Sequence, residues 1–164
     1  MSVSLVTLAQ WMAAPEDQHL EFKEAKQTFS SESLVKYCAA LANEGGGKLI
    51  LGVTNNRPRR VVGSHAFLDL PDTVSWLFQQ LRIRIEASAL RHPDGRVVIF
   101  DVPPRPVGVP IHYKGTYLMR AGAALVSMSP DMLKRIFDET ITDFSAEVCG
   151  DATLADLDTE AIKE

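Results

Sequence analysis

The strongest constraint on the fold is a predicted strand, helix and strand in direct succession between residues 16 and 63. Leu20 and Phe22 alternate with polar neighbours, which is typical of a strand. A serine cluster then offers a helix N-cap, and the apolar residues behind it recur at helical spacing, namely Leu34, Tyr37, Cys38 and Leu41. Residues 48–53 follow as an apolar run, which we expect to be a central strand.

The three glycines at residues 45–47 do not have the order of a phosphate-binding loop. In such a loop the glycines follow a strand and precede a helix, whose free N–H groups attract anions. Here they follow a helix and precede a strand, so carbonyl groups point into the turn. The order predicts a left-handed helix C-cap, and it predicts no ATP binding by this domain.

Charged residues on the first predicted strand are expected to share a face. Residues two apart on a strand point to the same side, so Glu21 and Lys23 project together while Phe22 points into the core. Glu16 lies five residues before Glu21. A carboxylate beside an amine suits a metal ion or a phosphodiester, and it equally suits a solvated strand face.

The rest of the chain predicts further strands and three more helices, the first of them a short amphipathic helix over Ser4 to Met12. Helices are expected from Pro71 and, with a Ser129 cap, from Pro130. Asp94-Gly95 and Lys114-Gly115 are typical hairpin turns, whereas residues 103–110 are too rich in proline for a central strand. We therefore expect an α/β (mixed α+β) domain over residues 1–145, with a central mixed sheet of roughly six strands flanked by helices. Residues 146–164 are expected to be an acidic linker or the start of a following domain.

Composition favours a cytoplasmic protein with one ordinary core. A chain of 164 residues buries roughly 70% of its unfolded surface. It has no apolar run near the roughly 18 residues of a membrane span, and no secretory signal. Two cysteines and four histidines, all scattered, make no zinc pattern.

Charge is distributed unevenly along the chain. The net charge is −4, but residues 48–120 contain eleven basic and five acidic residues, a net of +6. Residues 131–164 contain ten acidic and three basic residues, a net of −7. This distribution keeps a nucleic-acid partner open despite the overall acidity.

Taken in order, these segments resemble the Schlafen AlbA-like domain. The resemblance rests on Glu16 with residues 19–23, 40–47 and 49–53, and it extends through residues 103–106, 115–122 and the helix from Ser129. It covers residues 14–145. It implies nucleic-acid binding, most simply to DNA, by the N-terminal part of a bacterial transcriptional regulator with further C-terminal domains.

The resemblance also implies an incomplete acidic site. Schlafen-family nucleases hold a divalent cation with two acids spaced as Glu16 and Glu21 are, and with an aspartate after the central strand. This sequence has Thr54 and Asn55 at the third position. Glu16, Glu21 and Lys23 are thus the candidate catalytic residues, and Glu16 and Glu21 are the candidate metal ligands. We expect weak Mg²⁺ or Mn²⁺ binding at most, no other cofactor and no cleavage; a purely structural role for both acids stays open.

Candidate nucleic-acid contacts come from the basic segments. Arginines on the flexible turn of residues 54–60 are the best phosphate contacts, and Arg120 beside Tyr117 suits stacking on a base. The full predicted set is Arg57, Arg59, Arg60, Arg82, Arg84, Lys114, Tyr117 and Arg120. Each one is also compatible with a solvated surface charge.

Three functions are thus open: a weakly sequence-specific module that binds DNA or RNA, a metal-dependent nuclease acting on tRNA or single strands, and a protein-interaction module. We favour the first. A homo-oligomer is compatible with the sequence, and no membrane partner is expected.

Overall fold

The computed structural model describes residues 3–15, 17–122 and 124–139, so Glu16 and the predicted acidic segment at 146–164 lie outside the described residues. The described helices are α1 (Leu5–Ala13), α2 (Ser31–Asn43), α3 (Leu70–Leu81) and α4 (Pro130–Phe137). The described strands are β1 (Leu20–Lys23), β2 (Gly47–Leu51), β3 (Glu86–His92), β4 (Gly95–Val102), β5 (His112–Tyr113), β6 (Thr116–Ala121) and β7 (Ala124–Ser127). Among the described residues, none of the helices could span a lipid bilayer.

The strands form two sheets in the described part of the chain. The first has the order β1-β2-β4-β3, in which β1 and β2 are parallel and the other pairs antiparallel. The second has the order β5-β6-β7 and is antiparallel. The predicted mixed α+β class is confirmed, but the strands divide four and three instead of sharing one central sheet of about six.

Prolines explain the division into two sheets. Proline has no N–H to donate to a ladder, so pairing along β4 stops at Val102, ahead of the prolines at residues 103–110. The second sheet is attached to α2 through a buried amide instead. Asn43 Nδ2 donates to the carbonyls of Ile111 and Leu118, both at 2.8 Å, and Asn43 Oδ1 accepts from Ile111 N–H at 2.7 Å.

The four-stranded sheet has a core on each face. Alternate β2 residues divide between the two: Leu49 and Leu51 pack with α2 and α3, whereas Ile50 packs on the α1 side. Phe22 joins the α1 side and is buried, as the alternation on β1 predicted. Glu21 and Lys23 therefore face the α2 side of the sheet.

The predicted glycine C-cap is confirmed. Gly45 and Gly46 have φ angles of 95° and 88°. Gly46 N–H donates to Leu41 O at 2.8 Å and Gly45 N–H donates to Ala42 O at 3.3 Å, which is the Schellman arrangement. The glycines therefore end α2 and direct the chain into β2.

An ion pair between Arg105 and Glu139 attaches the end of α4 to the loop before β5. This contact should lower the pKa of the Glu139 carboxyl group. Arg105 donates to both carboxylate oxygens of Glu139, at 2.6 and 2.7 Å, and Gly108 N–H donates at 3.1 Å. These bonds favour the ionised carboxylate and lower the pKa of Glu139 to about 2. The pair should therefore be fully formed above pH 4.5 and lost as pH falls through about 2. A carboxyl NMR titration of Glu139 measures this; a midpoint near the ordinary glutamate value would contradict the contact.

Candidate nucleic-acid interface

Glu21 lies at the centre of a buried charged network. Its carboxylate Oε1 is 2.9 Å from Lys23 Nζ, and its Oε2 pairs with Arg120 Nη2. The Glu21 and Arg120 side chains are only 7% and 5% exposed. Since Glu21 lies on β1 and Arg120 on β6, this pair joins the two sheets.

Arg120 is held by two further hydrogen bonds. Its Nη1 donates to Asp17 O at 3.2 Å, and its backbone N–H donates to Glu44 Oε1 at 2.6 Å. A guanidinium that is buried in this way has no free face for a base. The structure therefore gives Arg120 a structural position instead of the predicted stacking position beside Tyr117.

Lys23 remains charged although it is partly buried. Burial favours its neutral amine, but hydrogen bonding to the Tyr37 hydroxyl and the Glu21 carboxylate outweighs this, so the pKa of Lys23 is raised above its ordinary value. The Nζ also lies 4.8 Å from the centre of the Tyr37 ring. Lys23 is thus a fixed positive charge at the end of β1.

A polar cleft of about 690 Å³ opens beside Lys23. Its walls are the chain after β1 and the turn at residues 54–60. The lining includes three cations, Lys23, Arg57 and Arg60, against one carboxylate, Glu24. Its neutral polar and aromatic lining consists of Thr28, Phe29, Thr54, Asn55 and Asn56.

The basic turn is anchored, which corrects its expected flexibility. Thr54 N–H donates to Arg60 O, and Arg60 N–H donates to Thr54 Oγ1, both at 2.9 Å. Arg57 Nη2 donates to Ala13 O at 2.7 Å. The turn is thereby docked on the C-terminal end of α1, where carbonyl groups accept cationic donors favourably.

Arg59 points away from the cleft. It is 7% exposed, its Nη1 donates to Met12 O at 3.0 Å and to Ala14 O at 2.9 Å, and its guanidinium lies 4.3 Å from the centre of the Phe22 ring. Its neighbours Arg57 and Arg60 are exposed. The predicted trio therefore divides into two arginines that line the cleft and one that is built into the core.

The other predicted contacts lie elsewhere on the surface. Arg82 and Arg84 line a separate groove at the end of α3, where Arg84 lies 5.6 Å from the centre of the Phe78 ring. Lys114 lies at the tip of the β5–β6 hairpin. The Tyr117 ring packs edge-on against the His112 ring, with a centroid distance of 5.4 Å. The predicted set is thus distributed over three surface regions and two buried positions.

Sequence reasoning missed four polar or aromatic residues of the cleft: Glu24, Thr28, Phe29 and Asn56. Asn56 could have been predicted from the sequence, because it directly follows Asn55 in the polar turn. The segment containing Thr28 and Phe29 showed no periodicity. Its approach to the turn at residues 54–60 depends on the parallel pairing of β1 with β2.

The described residues do not fit a divalent cation. Both oxygens of Glu21 are engaged by cationic side chains, so no free carboxylate oxygen is presented to a metal. Asn55 lines the cleft with Lys23, where the resemblance placed the third acid, and brings no charge. Within residues 3–15, 17–122 and 124–139, no three acidic, histidine or cysteine side chains are grouped as metal ligands.

Comparison with known proteins establishes the family. The chain belongs to the Schlafen AlbA_2 family, whose model matches residues 16–129. The family resemblance drawn from the sequence is therefore confirmed. No curated protein matches the chain.

Two solved structures are similar to it. The DIP2311 protein from Corynebacterium diphtheriae superposes with a TM-score of 0.58 at 20% identity, over 76% of this chain and 26% of that one. The N-terminal domain of a RecG-related protein from Nitrosomonas europaea gives a TM-score of 0.49 at 22% identity, over 74% of this chain and 89% of that domain. The first likeness supports the fold, and the chain spans about a quarter of the length of the DIP2311 protein.

Proposed function

We propose that this domain binds nucleic acid by contacting phosphates in the basic cleft, as a cytoplasmic module of a bacterial transcriptional regulator. The regulator would carry further domains beyond the binding domain at residues 1–145. DNA is the first candidate ligand. The observation that supports the proposal most strongly is the convergence of Lys23, Arg57 and Arg60 on one cleft.

The three cations differ in ways that suit a phosphate chain. Lys23 is fixed by Glu21 and Tyr37 and presents a positive charge at the end of β1. Arg57 is held through one nitrogen, while the Arg60 guanidinium bonds to no side chain or carbonyl in the described part of the chain. Arginine donates to phosphate oxygens in a bidentate manner, so Arg60 is the strongest candidate contact.

The remaining cleft residues suit contacts to the sugar-phosphate backbone and provide little recognition of the base sequence. Asn55 and Asn56 offer amide donors to phosphate or sugar oxygens, and Phe29 offers an aromatic edge. The Phe29 ring packs against the rings of Tyr37 and Phe67, with centroid distances of 6.4 and 6.5 Å. Its position in the cleft wall is therefore fixed by these contacts. Binding should therefore be dominated by phosphate contacts and only weakly specific.

A salt titration of a double variant, compared with the parent domain, tests this proposal. Arg57→Ala with Arg60→Ala should weaken binding to duplex and single-stranded DNA by at least about tenfold, because two charge-assisted contacts are lost. The slope of log affinity against log salt should become shallower by roughly one to two. Fluorescence anisotropy at several salt concentrations measures both quantities.

The control has the same change in charge at a different place. Lys134→Ala with Arg135→Ala removes two exposed cations from α4, outside the cleft, and should change affinity little. Arg60→Ala alone separates binding from folding, since Arg57 also holds the turn. Equal losses in the cleft and α4 variants would show that net charge, and not the cleft, carries binding.

A further inference from the structure

The outer edge of β3 has an alternating backbone pattern. β3 pairs with β4 alone in the described part of the chain, so its other edge is unpaired there. Arg91 is the partner of Arg96, and the Arg96 carbonyl accepts from Ser64 N–H at 2.8 Å, on the side away from β3. Arg91 is therefore in a pair without mutual hydrogen bonds, and its own N–H and C=O point outward.

The same alternation extends along the strand. Every second residue shares the orientation of Arg91, so Ala87 and Ala89 also present their N–H and C=O groups at the free edge. Ala89 and Arg91 are exposed and Ala87 is half-buried. The small side chains of Ala87 and Ala89 allow another strand to approach this edge closely.

Charge along the edge selects the direction of pairing. Glu86 is at one end, beside Asp101 of β4, and Arg91 and His92 are at the other, beside Arg96. A parallel copy would bring like charges together, whereas an antiparallel copy brings the acidic end of each strand to the basic end of the other. This self-complementarity is what a two-fold symmetric interface requires.

We propose that a second copy of this chain adds to the β3 edge in antiparallel register centred on Ala89, which joins two four-stranded sheets into one. Ala89 then faces Ala89 of the other copy, Ala87 faces Arg91, and Glu86 faces His92. Each outward N–H meets an outward C=O, and opposite side chains lie on the same face. This dimer forms independently of nucleic-acid binding.

Self-association should depend on concentration. Seven residues a side is well below the roughly 20–30 of a standard interface, so the dimer should dissociate on dilution. Sedimentation velocity of the full 164-residue chain over a wide concentration range measures this. A monomer at every concentration would overturn the proposal.

Amide exchange gives the register. Amides of Ala87, Ala89 and Arg91 should exchange fast in dilute samples and slowly in concentrated ones, while those of Ser88 and Leu90 stay protected at both because they bond to β4. A strand protected uniformly, or independently of concentration, would contradict the edge pairing.

Two sets of variants complete the test. Ala89→Pro removes an outward N–H without touching the β4 ladder and should abolish the dimer, while Ala89→Ser keeps that N–H and should retain it. Glu86→Arg should weaken association, because it brings a new arginine to the basic end of the other copy. Adding His92→Glu should restore association by placing a carboxylate opposite that arginine. A dimer that persists in folded Ala89→Pro would place the interface elsewhere.

Discussion

Replacing Arg120 by methionine is expected to lower the free energy of unfolding by about 3 kcal/mol. The change leaves Glu21, whose side chain is 7% exposed, with Lys23 as its one remaining cationic partner among the described residues. It also removes the link from β6 to the carbonyl of Asp17. Urea denaturation of the variant and the parent domain measures the difference.

The double variant distinguishes charge from packing. Arg120→Met combined with Glu21→Leu removes both buried charges together and leaves Lys23, which is 19% exposed and reaches solvent. We expect the double variant to be clearly more stable than Arg120→Met alone, because an apolar pair tolerates burial better than an unpaired carboxylate does. Additive losses would mean that packing volume, and not the unpaired charge, accounts for the effect.

Replacing Gly46 by alanine is the second change with a large expected effect. A Cβ there would lie 2.7 Å from Val102 O and 2.9 Å from Pro104 N, and φ is +88°. Both obstacles are backbone atoms that cannot rotate away, so we expect a loss of about 3–5 kcal/mol or failure to fold. Thermal and urea denaturation monitored by circular dichroism measure it.

Gly45→Ala is the matched control. Gly45 has a φ of +95°, but a Cβ there would meet nothing closer than 3.6 Å, from the His19 ring. It should therefore cost only the conformational strain of about 1–2 kcal/mol. Equal losses at the two positions would show that the approach of the prolines after β4 does not constrain the turn.

Local chemistry made much of the fold predictable. Ser30 and Ser129 cap α2 and α4 as a serine before a periodic segment should, and the glycines after Asn43 end α2. Alternation on β1 correctly placed Phe22 in the core. These features depend on residues only a few positions apart, so the sequence carries them directly.

The candidate site was less predictable, because contacts with residues far away in the sequence determine which of its charged side chains are buried and which are exposed. Arg59 and Arg60 are adjacent in the sequence, yet the first is buried against α1 and the second is exposed. Arg120 is buried by Glu21 and Asp17, which precede it by about a hundred residues. A run of arginines alone cannot show which members neutralise the core and which remain for a ligand.

The most direct test of the central claim is an NMR titration of the domain with a short DNA, as duplex and as single strand. Amide and side-chain signals of the cleft, above all those of Thr28, Asn55, Asn56 and Arg60, are expected to shift as DNA is added, and to return as salt is raised. Signals from α4 should stay in place. Absence of shifts at low salt, or shifts confined to surfaces outside the cleft, would contradict the account.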